Sequence, residues 1–224
     1  MASIPTFGFS AFLRMICLND RPQKTAVRDR HRPSKKGGYD FHKSLRNGIQ
    51  QLARGTGSVE QVLGSVSAIV QKPERESATR GIEKFSAWIK ENPGAITFCD
   101  PFIFTSPSGL FRVAFQPDFV IDLSGRKTAV HVWNTKLKLS GNLVMASLTL
   151  VAKNWRVYQD CPNDFAVLSL RDDQLYRWSD DPNSHVSAGN AIMSHLDRLC
   201  VLARKDFNLP SIGEQPESPP PPAE

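Results

Sequence analysis

The chain has 224 residues, 40% hydrophobic and 22% charged, with a formal net charge of +6 at pH 7. That balance belongs to a globular chain able to bury a core, and it excludes fibrous and wholly disordered classes. The longest uncharged apolar run, Leu143 to Ala152, stops at Lys153, well short of the roughly 18 to 20 residues of a membrane span, so a transmembrane role is not expected. The apolar stretch before Asp20 has no basic region ahead of it and is interrupted by Arg14, which argues against a secretory signal and for a cytoplasmic address. Cys17, Cys99, Cys161 and Cys200 are scattered with no C-x-x-C pair, so neither a disulfide framework nor a zinc knuckle is indicated.

The charge is unevenly spread. Residues 1–59 carry 11 Lys and Arg against 3 Asp and Glu, whereas residues 60–224 carry 17 against 19. The basic centre runs from Arg21 to Lys36 and includes Arg28, Arg30, Arg32, Lys35 and Lys36 among Pro22, Pro33, Gly37 and Gly38. Such a segment reads either as a solvated loop or as an arm that neutralises phosphates.

After Gly38, Phe41, Leu45, Ile49 and Leu52 fall on one helical face, and Gly55 ends that helix. Ser58 and Gln61 have capping-box spacing ahead of a second helix, whose apolar positions continue to Pro73. A third helix spans about Glu74 to Asn92, with Ile82, Phe85, Trp88 and Ile89 inward and Pro93-Gly94 as its stop. From Ile96 the composition turns β-branched and aromatic. Three strands are expected, Ile96–Phe104, Phe111–Leu123 and Lys127–Lys136, separated by Ser- and Gly-containing turns. Asn142 then caps a helix through Val144, Leu148, Val151, Trp155 and Tyr158; a strand pair follows, Phe165–Leu170 and Gln174–Trp178. Ile192, Leu196, Leu199 and Ala203 mark a last helix, and the Pro- and Glu-rich tail from 209 to 224 is expected to be disordered.

Two motifs lie in the strands. Pro117-Asp118 interrupts the alternating run Phe111, Val113, Phe115, and a proline there signals an edge or a bulge that re-aims Asp118. Asn134-Thr135-Lys136 ends the third strand, with Val132, Asn134 and Lys136 on one face by the two-residue period. The hairpin between them is expected to bring Asp118, Asn134 and Lys136 together.

From about Glu74 to Trp178 the chain resembles the PD-(D/E)XK nuclease superfamily: a leading helix, a three-strand meander bearing P-D, an x-x-K tripeptide, a crossing helix and further strands. The resemblance implies an α/β fold with a restriction-endonuclease-like core over 74–208, a central mixed sheet flanked by helices, behind a basic helical region over 1–73. It implies Mg²⁺ or Mn²⁺ held by Asp118, the Asn134 side chain and the Thr135 carbonyl, with Lys136 orienting the attacking water. Glu83 on the leading helix is the candidate further ligand, and Glu76 the substitute. The family's acidic tripeptide position holds Asn134 here, which removes one charge from a site for a hard cation; in this the chain resembles some members, including certain transposon endonuclease subunits, that carry an amide, usually glutamine, at that place.

The function so implied is metal-dependent hydrolysis of phosphodiester bonds in nucleic acid, with DNA preferred as partner and Arg28, Arg30, Arg32, Lys35 and Lys36 on its backbone. The alternative is a catalytically inactive nuclease-fold protein that binds nucleic acid or a protein partner; homodimerisation is left open. Other chemistry has less support. The five histidines form no H-E-x-x-H, His131 reads as a packing histidine, and Ser, His and Asp occur without a G-x-S-x-G elbow, so a serine hydrolase is not indicated.

Overall fold

The computed structural model describes residues 4–31, 39–155 and 162–209. A short strand β1 (Thr6–Gly8) leads into α1 (Phe9–Ile16) and α2 (Asp20–His31), followed by α3 (Lys43–Ala53), α4 (Val59–Ser67) and α5 (Lys72–Glu91). The strands β2 (Ile96–Thr97), β3 (Phe102–Thr105), β4 (Arg112–Phe115), β5 (Phe119–Leu123) and β6 (Arg126–Trp133) come next. Then come α6 (Gly141–Trp155), β7 (Asp164–Ser169), β8 (Gln174–Arg177) and α7 (Val186–Asp206). This is an α/β protein with N-terminal helices and a mixed five-strand sheet in the order β2-β5-β6-β7-β8. Within this sheet only the β6–β7 pair is parallel, with α6 as the connection between its strands.

Prolines break the strands. The expected Phe111–Leu123 strand divides at Gln116-Pro117-Asp118 into β4 and β5, and the expected Ile96–Phe104 strand divides around Pro101 into β2 and β3. A proline has no N–H for the ladder, so both strands leave the main sheet at these points. Their outer halves continue in a second sheet of order β1-β4-β3, where β1 joins β4 in parallel. The N-terminal residues are thereby built into the sheet system.

The main sheet is buried on both faces. Phe119, Ile121, Val130, Val132 and Leu168 face α3, α4 and α5, while Val120, Ala129, Trp133 and Val167 face the side of α1, α6 and α7. The alternation follows the two-residue strand period. Local signals hold at several ends: Ser58 and Gln61 form a reciprocal capping box on α4, and α5 stops at Asn92, before Pro93-Gly94.

Three expectations change. The basic segment from Arg21, read as a solvated loop or a phosphate-neutralising arm, is helical as far as His31; Pro22 is tolerated because it falls in the first turn of α2, where its missing N–H has no intrahelical partner to lose. The second helix ends at Ser67, short of Pro73. The third main strand ends at Trp133, leaving Asn134, Thr135 and Lys136 beyond it. Arg32, Lys35, Lys36, Tyr158, Cys161 and residues 210–224 lie outside the described residues.

Candidate functional site

The β5–β6 register decides which side chains meet. Phe119 pairs with Val130, and one step outward the Asp118 N–H donates to the Val130 carbonyl at 2.8 Å, which sets Asp118 opposite His131. Asp118 Oδ2 accepts the Val132 N–H at 2.7 Å and lies 3.6 Å from His131 Nδ1. Both residues are deeply buried, Asp118 at 4% exposure and His131 at 6%. Burial pushes the Asp118 carboxyl above its ordinary range, a shift that His131 and the Val132 N–H oppose. Burial likewise pulls the His131 imidazole below its ordinary value, opposed by the Asp118 charge and the bond to the Gln116 carbonyl. Desolvation disfavours the charged form of each.

His131 also reaches across the fold. Its Nε2 is 2.7 Å from Ser10 Oγ at the start of α1, and its Nδ1 is 3.2 Å from the Gln116 carbonyl oxygen. The ring stands edge-on to Phe9, 5.3 Å between centroids. Asp118, His131 and Ser10 share the wall of a cleft of about 910 Å³ into which Arg30, Lys43 and Arg46 also open. Arg46 is ion-paired with Asp40. Two further clefts follow from it in series. One shares Ser10, Ala11 and Arg30 with it and adds Arg14 and Arg21; the other meets that one at His42 and Thr135 and carries Arg80, Lys84, Lys136 and Arg171. Glu76, Asp29, Asp40 and Asp118 are the acidic residues along these walls, so cations outnumber anions there.

The residues expected to converge separate into two groups. Asn134 lies three residues beyond His131, an odd step that turns it to the opposite face. Its Nδ2 donates to the Ser77 carbonyl and to Ser77 Oγ on α5, each at 3.2 Å. It lines the cleft with Thr135 and Lys136, whereas Asp118 lines the other. Lys136 is exposed, and its backbone carbonyl accepts from Arg171. The Thr135 hydroxyl is buried without a hydrogen-bond partner. Glu83 is exposed on α5, and Glu76 lines the Asn134 cleft.

The buried glutamate of α5 is Glu74, 4% exposed, which accepts from Ser44 Oγ at 2.8 Å and from the Tyr39 hydroxyl. Sequence reasoning missed it because burial of a helix's first turn depends on what docks there, here α3 and the chain before it. Arg28 and Arg30 also separate: Arg28 lies beside Asp206 of α7, while Arg30 opens on the central cleft. A step of two residues along a helix turns the side chain by about 200°.

Mg²⁺ and Mn²⁺ need several oxygen ligands around one point. Here one buried carboxylate already accepts an N–H and faces an imidazole, while the amide offered by Asn134 is turned to α5. Among the described residues no three His, Cys, Asp or Glu side chains group closely enough to hold a metal ion. The side chains do not fit the expected metal centre. Among the described residues no helix is long and apolar enough to cross a membrane. No protein-family model matches the chain, and no curated protein matches it either.

Proposed function

We propose that this protein is a restriction-endonuclease-like fold that binds nucleic acid, DNA foremost, along its basic clefts without the Mg²⁺-dependent hydrolysis of the PD-(D/E)XK family. The element order supports the fold reading: a leading helix α5, a meander ending in β6, the connecting helix α6, and β7 parallel to β6. The single observation that carries the functional reading is the register that seats His131, an imidazole, against Asp118. In the resembled family a second side-chain oxygen must converge with the P-D aspartate to hold the cation. The cationic walls supply what phosphate binding needs by themselves, since backbone contacts from Arg and Lys carry affinity without reading sequence.

Fluorescence anisotropy with a labelled DNA duplex tests this. Binding is expected in EDTA and in Mg²⁺ alike, with affinity falling linearly in log affinity against log salt. Absence of duplex binding at low salt overturns the reading. Mg²⁺-dependent cleavage that Asp118→Ala abolishes would instead restore the metal-dependent nuclease.

A further inference from the structure

The segment Thr6 to Ala11 runs from strand into helix. Gly8 is extended at φ −62° and ψ 151°, α1 begins at Phe9, and Ser10 therefore sits in the first helical turn. The first N–H groups of a helix have no carbonyl partner four residues back, and Gly8, Phe9, Ser10 and Ala11 all line the central cleft. Ser10 Oγ lies 2.7 Å from His131 Nε2. On the other side of the ring, Nδ1 lies 3.2 Å from the Gln116 carbonyl. A carbonyl only accepts, so this bond assigns the ring proton to Nδ1 and leaves the Nε2 lone pair to accept the Ser10 hydroxyl proton. Asp118 Oδ2, 3.6 Å from Nδ1, places a carboxylate beside the ring.

We propose that Ser10 is an activated nucleophile, with His131 as its general base and Asp118 as a positioning residue, and that the cleft it opens on takes a phosphodiester. A serine hydroxyl held by a correctly oriented imidazole, itself held by a third group, is the arrangement that nucleophilic catalysis requires on any fold. Burial lowers the pKa of the imidazole and so favours the neutral form, the one with a lone pair free to take the serine proton. The substrate class follows from the walls. Arg30, Lys43 and Arg46 line the same cleft as the serine, and a phosphodiester brings one negative charge that grows in the transition state, whereas a carboxylic ester starts neutral. This assignment rests on the nucleic-acid reading above.

The chemistry balances with water as the only co-reactant. The Ser10 hydroxyl proton passes to His131 Nε2 as the Oγ–P bond forms, the ester P–O bond to one nucleoside breaks, and the departing alkoxide takes the proton from the imidazolium. Water, deprotonated by the neutral imidazole, then attacks phosphorus, the Oγ–P bond breaks, and Ser10 Oγ recovers the proton. The products are a phosphomonoester and an alcohol.

The full-length protein is treated in EDTA with a fluorophosphonate, whose P–F bond breaks as the Oγ–P bond forms. Peptide mass spectrometry should place the adduct on Ser10. Ser10→Ala should remove it, and His131→Gln should slow labelling by about 100-fold or more. Asp118→Asn should slow it too, with Asp118→Glu recovering part of the rate; equal rates in wild type and Asp118→Asn would take Asp118 out of its role. In parallel, bis(p-nitrophenyl) phosphate should be hydrolysed without metal by the wild type and not by Ser10→Ala, whose circular dichroism spectrum should show that it is folded. No labelling at Ser10 by a protein that binds duplex DNA overturns this inference and leaves the binding function standing. Hydrolysis of p-nitrophenyl butyrate but not of the phosphodiester overturns the substrate class. Failure of the wild type to bind duplex removes the reading on which the phosphodiester assignment depends.

Discussion

His131 makes a ring contact, a hydrogen bond through each nitrogen and a close approach to a carboxylate while only 6% exposed. Burial lowers its pKa below the ordinary 6.5, so the unfolded chain takes up a proton at a higher pH than the folded one. Stability from this group is present above about pH 6.5 and lost as pH falls below it. Asp118 acts in the opposite sense, because its pKa is raised above 3.8 and its contribution is lost as pH rises. Urea unfolding at about pH 7.5 and about pH 5.5 should show His131→Gln losing less stability on acidification than the wild type, or gaining more. Equal losses would count against a neutral buried imidazole. Asn134 offers a second residue-level test. Its amide donates to the Ser77 carbonyl, so Asn134→Asp sets a carboxylate against an acceptor and should cost about 1–3 kcal/mol in chemical denaturation. Titration calorimetry should show no gain in Mg²⁺ binding. A stable Asn134→Asp protein with tightened Mg²⁺ binding would mean that Asn134 and Asp118 do share a site.

At the scale of elements, the hairpins hold the site because β2 and β5 lie close to the turn that ends α5. A Cβ built on Gly94 would stand 2.3 Å from the Asp122 carbonyl oxygen and 3.0 Å from Ile121 Cγ1. The first of these is backbone in a paired strand, with the Asp122 N–H donating to the Ala95 carbonyl at 3.1 Å, so it cannot swing away as a side chain would. Gly94→Ala should destabilise the protein by about 1–3 kcal/mol, the usual cost of forced overpacking. A thermal melt unchanged from wild type would show that the α5–β2 connection is looser than this contact implies. Gly81 differs in kind: its nearest neighbours are the Leu45 side chain and the Asn134 amide, which can shift.

For the whole molecule, the nucleic-acid binding proposed above would draw on cations gathered from α1, α2, α3, α5 and the loops after β6 and β7 onto a run of clefts. Arg30 and Arg28 give a contrast within one helix. Arg30 faces the central cleft, with its guanidinium 5.9 Å from the Phe7 ring centroid, whereas Arg28 lies beside α7. Arg30→Ala, Lys43→Ala and Arg46→Ala should each weaken binding to unrelated duplexes about equally and lower the salt slope by about 1. Arg28→Ala should leave the slope unchanged. The same loss for Arg28→Ala as for Arg30→Ala would mean that phosphates follow the outer face of α2 instead of the cleft.

What the sequence determined by itself is local. Helices were legible through apolar periodicity, and their ends through signals such as Ser58-Gln61 and Pro93-Gly94, because caps and breakers act within a few residues. The Pro117 break was also legible, and the two-residue period placed Asn134 on the face of Val132 correctly. Only the tertiary structure decided who meets whom. Pairing register set His131 against Asp118 and, by the same alternation, turned Asn134 away toward Ser77. Ser10 lies 121 residues before its partner His131, and no short motif encodes that approach; it arises because β1 joins β4 and delivers the start of α1 to the end of the hairpin. The fate of Arg21 to His31 was decided in the same way, since their residue types suit an exposed arm and only docking of α2 against α7 fixes them as a helix with one arginine facing the cleft. Local propensity acts over a few residues, whereas register and docking are settled by apolar surfaces far apart in the chain.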